Sequence, residues 1–331
     1  MKTLAGSLLA LSLMAAACSV DDPVAPEPEA VAAADQPADL LVGVAMSPRS
    51  YTGSDLPDFL ELVEPHTDVL MHAGDWAELA DPGSPFHVFS TLAADQGSEF
   101  AMVISPSAGE ELLRPLDAAT VDDYLRWLRA FLEVHQPAFL GLANEVNMLA
   151  VHDAAGYDEV VDLWDEALPV VRELAPDTVV FVTFQFERTV GRHDGWFGGA
   201  VVAPDWSVID DFAGMDVVAF TTYPSLVYDD PAGLPADYYT QVADHTDLPV
   251  VFTEVGWSAD EALPLLPGSE GEQVAFIDVL ASQIDELDTD LAVWTFVHGD
   301  QVAAQPFAEM DLRRADGGPR PAWDRWFAVA G

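Results

Sequence analysis

Two carboxylates close apolar runs that give them no packing reason to be there. Glu145 ends AFLGLANEV and Glu254 sits inside PVVFTEVGW. Two acids of one type can divide proton work when their surroundings differ. One stays protonated and delivers a proton, while the other stays ionised and attacks or activates water. Across a cleft the width of one sugar ring, such a pair supports cleavage of a glycosidic bond. Further polar and aromatic residues stand at the ends of these and other apolar runs: Arg49, His72, Asn144, Gln185, Tyr223, Trp257, Trp294 and His298. Trp257 and Trp294 offer flat apolar faces that stack on the C–H face of a pyranose. Tyr223 has a phenol proton with which to hold a carboxylate ionised. Gln185 and His298 offer hydrogen bonds to hydroxyl groups.

Other chemistries find little support. His72 and Asp75 in HAGD are the one hint of a metal, but no HxH motif and no second set of ligands accompany them. No GxSxG segment presents a serine nucleophile, and no cofactor is expected. MSPRSYTG, after the first apolar run, is not a glycine-rich phosphate turn, which argues against a doubly wound nucleotide fold.

The elements that must position these residues follow one rhythm. Eight short apolar runs begin at Leu41, Thr67, Glu99, Ala138, Thr178, Asp216, Pro249 and Leu291. Amphipathic stretches between them predict helices at Thr120–His135, with Thr120 as N-cap, Tyr157–Leu174, Gly271–Leu287 and Pro321–Val329. Arg188–Pro204 reads as a long irregular connection. Strand-helix alternation of this kind predicts an α/β protein, a single (β/α)8 TIM barrel over residues 40–331. Such barrels carry their reactive side chains at the C-terminal ends of the strands. The fourth and seventh strands then bring Glu145 and Glu254 to one mouth.

Taken in order, LANEVN, AFTTYP, FTEVGW and AVWTF resemble the clan A retaining glycoside hydrolases, (β/α)8 enzymes with acid/base on strand four and nucleophile on strand seven. The closing DLRRADGGPRPAWDRW is similar to the tail of these enzymes. Within the clan, TEVGW is similar to segments of endo-β-1,4-galactanases and endo-β-1,3-glucanases. The resemblance implies hydrolysis of O-glycosyl bonds in a β-linked poly- or oligosaccharide. It implies Glu145 as acid/base, Glu254 as nucleophile, Asn144 on the sugar 2-OH, Tyr223 on the nucleophile and Trp294 beneath the sugar. Many members carry an Arg at the end of strand two. Here that stretch reads MHAGDW, and Arg49 is the candidate substitute. The missing Arg keeps open a barrel that binds glycan without turnover; HAGD keeps open a metal-dependent barrel hydrolase.

Residues 1–18 read as a lipoprotein signal, with Lys2, an apolar stretch and the box Ala15-Ala16-Ala17-Cys18. Cys18 is the sole cysteine and the expected lipid-bearing residue. Residues 19–39 are rich in Pro, Ala and acid, the composition of a disordered tether. The chain has 12 Lys+Arg against 57 Asp+Glu, a net charge of −45. That surface repels nucleic acid and anionic lipid, so the expected membrane contact is the lipid anchor alone. The acid excess suits a salt-rich habitat, where ions screen the self-repulsion. A monomer in a bacterial cell envelope, facing the periplasm or the exterior, is the resulting expectation.

Overall fold

Each of the eight apolar runs forms strand in the computed structural model, which describes residues 40–108, 111–195, 199–260, 268–287, 289–299 and 307–329. The signal, Cys18 and the tether lie outside the described residues. The strands are β1 Leu41–Ala45, β2 Val69–Asp75, β3 Glu99–Ser105, β4 Phe139–Gly141, β5 Val179–Phe181, β6 Thr183–Gln185, β7 Val218–Thr222, β8 Val250–Val255 and β9 Leu291–Trp294. Their order across the sheet is β5-β4-β3-β2-β1-β9-β8-β7-β6, all pairs parallel.

The two ends of that order belong to one run, TVVFVTFQF, interrupted only at Val182. Its first half pairs with β4 through Gly141↔Phe181, and its second half pairs with β7 through Thr183↔Ala219. Backbone bonds from Leu142 N to Phe181 O (2.9 Å) and from Thr183 N to Ala143 O (3.0 Å) continue the seam. The sheet is therefore a closed barrel of eight runs, and closure removes the unpaired edges that parallel strands cannot leave in water.

Helices cover most of the outside: α1 Asp55–Val63, α2 Pro85–Gln96, α3 Ala118–Leu132, α4 Val146–His152, α5 Ala154–Leu174, α6 Phe186–Thr189, α7 Glu270–Ile284 and α8 Pro321–Phe327. α3 begins earlier than its sequence suggests. Asp117, not Thr120, is the N-cap, and its carboxylate accepts from Ala119 N (3.1 Å) and Thr120 N (3.0 Å). Tyr124, Leu128, Phe131 and Leu132 form its buried stripe. After β6 and β7 only short helical turns stand where the repeat would place full helices. At the closing end, Trp326 of α8 donates its indole N–H to Gly43 O at 2.9 Å, tying the last helix to the first strand.

The strand β8 is irregular. Between Phe252 and Val255 it carries one residue more than either neighbour: Phe252 pairs with Phe220 and Ala292, while Glu254 pairs with Thr221 and Val255 with Trp294. This is a bulge, and it changes which face the following side chain takes. Phe252 packs its ring against Phe220 and Tyr239 on the helix side. Regular alternation would send Glu254 the same way. The extra residue sends it inward instead.

Candidate active site

The mouth of the barrel is built from strand ends whose inward side chains are polar. Glu145 follows β4 in a left-handed backbone conformation, φ 47° and ψ 46°, and is the only non-glycine residue with positive φ among the described residues. Such a conformation costs a side-chain-bearing residue about 1–2 kcal/mol. The surroundings hold it: its N–H donates to the Thr183 hydroxyl at 2.7 Å, and that hydroxyl donates to Asn144 Oδ1 at 2.5 Å. The Glu145 carboxyl accepts from the Thr221 hydroxyl at 2.5 Å.

Glu254 is set differently. The Tyr223 hydroxyl donates to its Oε2 and also lies 3.0 Å from the Thr295 hydroxyl. The Tyr223 ring lies against Gly256, where an added Cβ would fall 3.0 Å from two ring carbons. That close approach explains the glycine of TEVGW.

Both carboxyls face one cavity, which Asn144, Gln185, Tyr223, Met148, Leu226, Phe296 and Phe307 also line. A second cavity meets it at Glu254 and Phe296 and runs towards Met46, Tyr51, His72 and Ala73. Together they form a cleft across the mouth with Glu254 at its middle.

The electrostatics divide the pair. Burial, then the neighbouring charge of Glu254, pushes the Glu145 carboxyl up to about 8 from 4.5. Burial also raises Glu254, but the hydrogen bond from Tyr223 opposes the rise. Burial and the adjoining Glu254 charge push the Tyr223 phenol well above 10, so it stays a donor. The arrangement therefore places the proton on Glu145 in preference to Glu254.

Of the residues singled out in the sequence, Glu145, Glu254, Asn144, Tyr223 and Gln185 share the first cavity, and His72 lines the second. The Gln185 amide is already engaged, donating to Glu187 at 2.5 Å and accepting from Arg188 N at 2.6 Å. His72 Nε2 lies 3.3 Å from Glu78, and its ring meets Phe86 and Phe89 edge-on.

Two expectations need correction. Trp294 and Trp257 are fully buried core residues, not sugar platforms. Trp294 pairs with Val255, which faces away from the cleft because Glu254 faces into it; its indole N–H donates to Met310 O at 2.8 Å and its ring packs on Trp326. Trp257 stacks on Phe276 of α7, with ring centroids 5.3 Å apart. Among the described residues, Phe296 and Phe307 line the cleft beside Tyr223, and Tyr51 lines its far part.

Arg49 and His298 are also displaced from their expected place. They line a separate hollow with Asp55, Asp58 and Arg313, where Arg49 donates to Ala315 O at 3.1 Å. Arg49 thus does not stand in for a strand-two arginine beside Glu254. At the end of β2, Asp75 instead receives a two-pronged bond from Arg114, at 2.9 and 2.8 Å. No group of three or more His, Cys, Asp or Glu placed to hold a metal ion occurs among the described residues.

Sequence reasoning missed Thr221, Thr183, Phe296 and Glu187. Thr221 had a signal: it lies two residues before Tyr223 and so shares its face of the strand. Phe296 had none: it lies beyond the end of β9 and does not share the face of Trp294.

No protein-family model and no curated protein matches this sequence. Solved structures do share its architecture. Native xylanase 10B from Thermotoga maritima superposes with a TM-score of 0.60 at 11% identity, over 88% of this chain and 95% of that one. The GH53 catalytic domain of Ignisphaera aggregans gives 0.59 at 14% identity, over 90% and 98%. The Bifidobacterium dentium β-glucuronidase, solved with coumarin-3-O-glucuronide, gives 0.60 at 15%, over 89% of this chain and 47% of that one. At these identities the likeness is one of fold, the (β/α)8 barrel.

Proposed function

We propose that this chain is a glycoside hydrolase that cleaves a β-linked poly- or oligosaccharide with retention of configuration. The observation that carries the reading is the inequality of the two carboxyls in one cleft. Glu145 is held towards its protonated form, and Glu254 accepts the proton of Tyr223's hydrogen bond as an ion would. Glycosidases among the structures that share the fold support the same reading.

Glu145 protonates the leaving oxygen as the C–O bond breaks. Glu254 attacks the anomeric carbon, and the leaving group departs carrying the proton. Glu145, now ionised, removes a proton from water, which attacks the same carbon and releases Glu254. Tyr223 steadies Glu254 as an ion before attack and as it leaves. Asn144, beside the acid and lining the cleft, is placed for a sugar hydroxyl. No step uses a cofactor.

The protein would act as a monomer in a bacterial cell envelope, held to the membrane by a lipid on Cys18. Reducing-sugar release from a panel of polysaccharides, with wild type and Glu254→Ala side by side, tests the reading. Release by the wild type alone, with the newly formed anomer matching the bond cleaved, is the expected result. Binding without release would mark a glycan-binding barrel, and an inverted product would refute double displacement.

A further inference from the structure

Glu187 is a fully buried carboxylate that the cleavage mechanism leaves unused. It sits on α6, behind β7, on the opposite side of that strand from Tyr223's ring. Its Oε1 accepts from the Thr222 hydroxyl at 2.7 Å and the Tyr238 hydroxyl at 3.2 Å. Its Oε2 accepts from the Tyr223 N–H at 3.0 Å and the Gln185 amide at 2.5 Å.

An ionised carboxylate offers about four lone-pair positions and no proton. Here four donors converge on it. Two of the four, the Tyr223 N–H and the Gln185 amide, can only donate, and both meet Oε2, so that oxygen carries no proton; with both hydroxyls turned towards Oε1 the arrangement fits the anion. Two of the four contacts come from neighbouring residues of one strand end, Thr222 and Tyr223. The first packs behind the strand, and the second reaches forward to Glu254.

We propose that Glu187 is a positioning residue: as an anion it pins the backbone from which Tyr223 reaches Glu254. Several groups face it. Thr222, Tyr223, Tyr238 and Gln185 donate to it, and Tyr239 meets Thr222 at 3.0 Å. Glu145, Tyr228, Tyr238 and Tyr239 all feel its charge. The buried His193 lies beyond Gln185, with Nε2 3.1 Å from its Oε1. Burial outweighs the rest and raises the Glu187 carboxyl above its ordinary value, while the bonds from Tyr223, Thr222 and Gln185 limit the rise.

The kinetic side of this inference rests on the glycosidase reading; the titration side does not. The test is an NMR titration of the full chain labelled with ¹³C at glutamate carboxyls. Glu145 is identified by its loss in Glu145→Gln, and Glu187 by its loss in Glu187→Gln or Glu187→Asp. The wild type should show Glu187 as the carboxylate at neutral pH. In Glu187→Gln, Glu145 should titrate lower by on the order of 0.5–1 pH unit. On any glycan the wild type cleaves, kcat should fall about ten-fold or more with KM nearly unchanged, and the alkaline limb should move with Glu145. A purely structural Glu187 would not move that limb.

A protonated Glu187 at neutral pH overturns the proposal. So does an unchanged Glu145 titration in folded Glu187→Gln. If that variant does not fold, Thr222→Val and Tyr238→Phe carry the test, since each removes one donor. Both should raise the pH at which Glu187 titrates, and no movement in either overturns the proposal. A wild type that cleaves no glycan refutes the glycosidase reading and leaves the titration outcome standing.

Discussion

The proton that Glu145 keeps should be visible in the stability of the whole domain. Its carboxyl is raised from 4.5 to about 8 by burial and by Glu254, so the folded state binds the proton more tightly than the unfolded chain does. The sign follows: this contribution to stability is fully present below about pH 4.5 and is lost as pH rises towards 8. At about 1.4 kcal/mol for each pH unit, the loss amounts to at most about 5 kcal/mol. Glu254 titrates in the same field, so the measured loss belongs to the pair. Glu145→Gln keeps the shape and an acceptor for the Thr221 hydroxyl but has no charge to bury. Urea denaturation of wild type and variant at about pH 5 and about pH 8.5 reads the difference. The variant should gain on the wild type by several kcal/mol between the two conditions, on the order of 2–5. Parallel stability curves, within about 0.5 kcal/mol, would show that Glu145 is not held protonated by the fold, and the assignment of acid and nucleophile would lose its physical basis.

Other outcomes follow from named contacts. Tyr223→Phe removes a donor to the Glu254 anion, so the acid limb of kcat/KM should move to higher pH and activity should fall by about 10–100-fold; an unmoved limb would show that the bond does not tune Glu254. Azide should release a glycosyl-enzyme from Glu145→Ala as a retained azide product on an activated glycoside, while Glu254→Ala should give inversion; the opposite stereochemistry would swap the two roles. Because Glu145 sits at φ 47°, Glu145→Gly should be more stable than Glu145→Ala by about 1 kcal/mol in urea melts, whereas at an ordinary helical or strand position the order would reverse. Metabolic labelling with a fatty acid should mark the wild type and not Cys18→Ser; equal labelling would remove the anchor.

What the sequence discloses about the barrel, and what it hides, has a common cause. Apolar runs are visible one by one, so all eight strand-forming segments and both acids can be read directly. Facing is not visible, because it depends on register with neighbours. Trp294 looks like a rim aromatic until its pairing with Val255 places it on the helix side. Trp257 looks the same until Phe276 is seen beneath it. Glu187 follows Gln185 in QFER, a stretch with no periodic signal, and only the fold brings Thr222, Tyr223 and Tyr238 to it. Arg49 was asked to reach Glu254 by analogy with other barrels, but its guanidinium is taken by the loop around Ala315.

The bulge in β8 gives this site an unusual dependence on counting. Phe252 and Glu254 have the same parity, yet they face opposite sides of the wall because one spare residue lies between them. Phe220, Thr221 and Thr222 of the neighbouring strand alternate without such an interruption. A cleft carboxylate placed this way is specified by the number of residues in a strand as much as by their kinds. A chain with every residue type preserved, but with that spare residue drawn back into regular pairing, would turn its acid towards the helices and present Thr253 to the cleft. Two barrels could then differ in nothing but register and still differ in whether a carboxylate from this strand reaches the cleft at all.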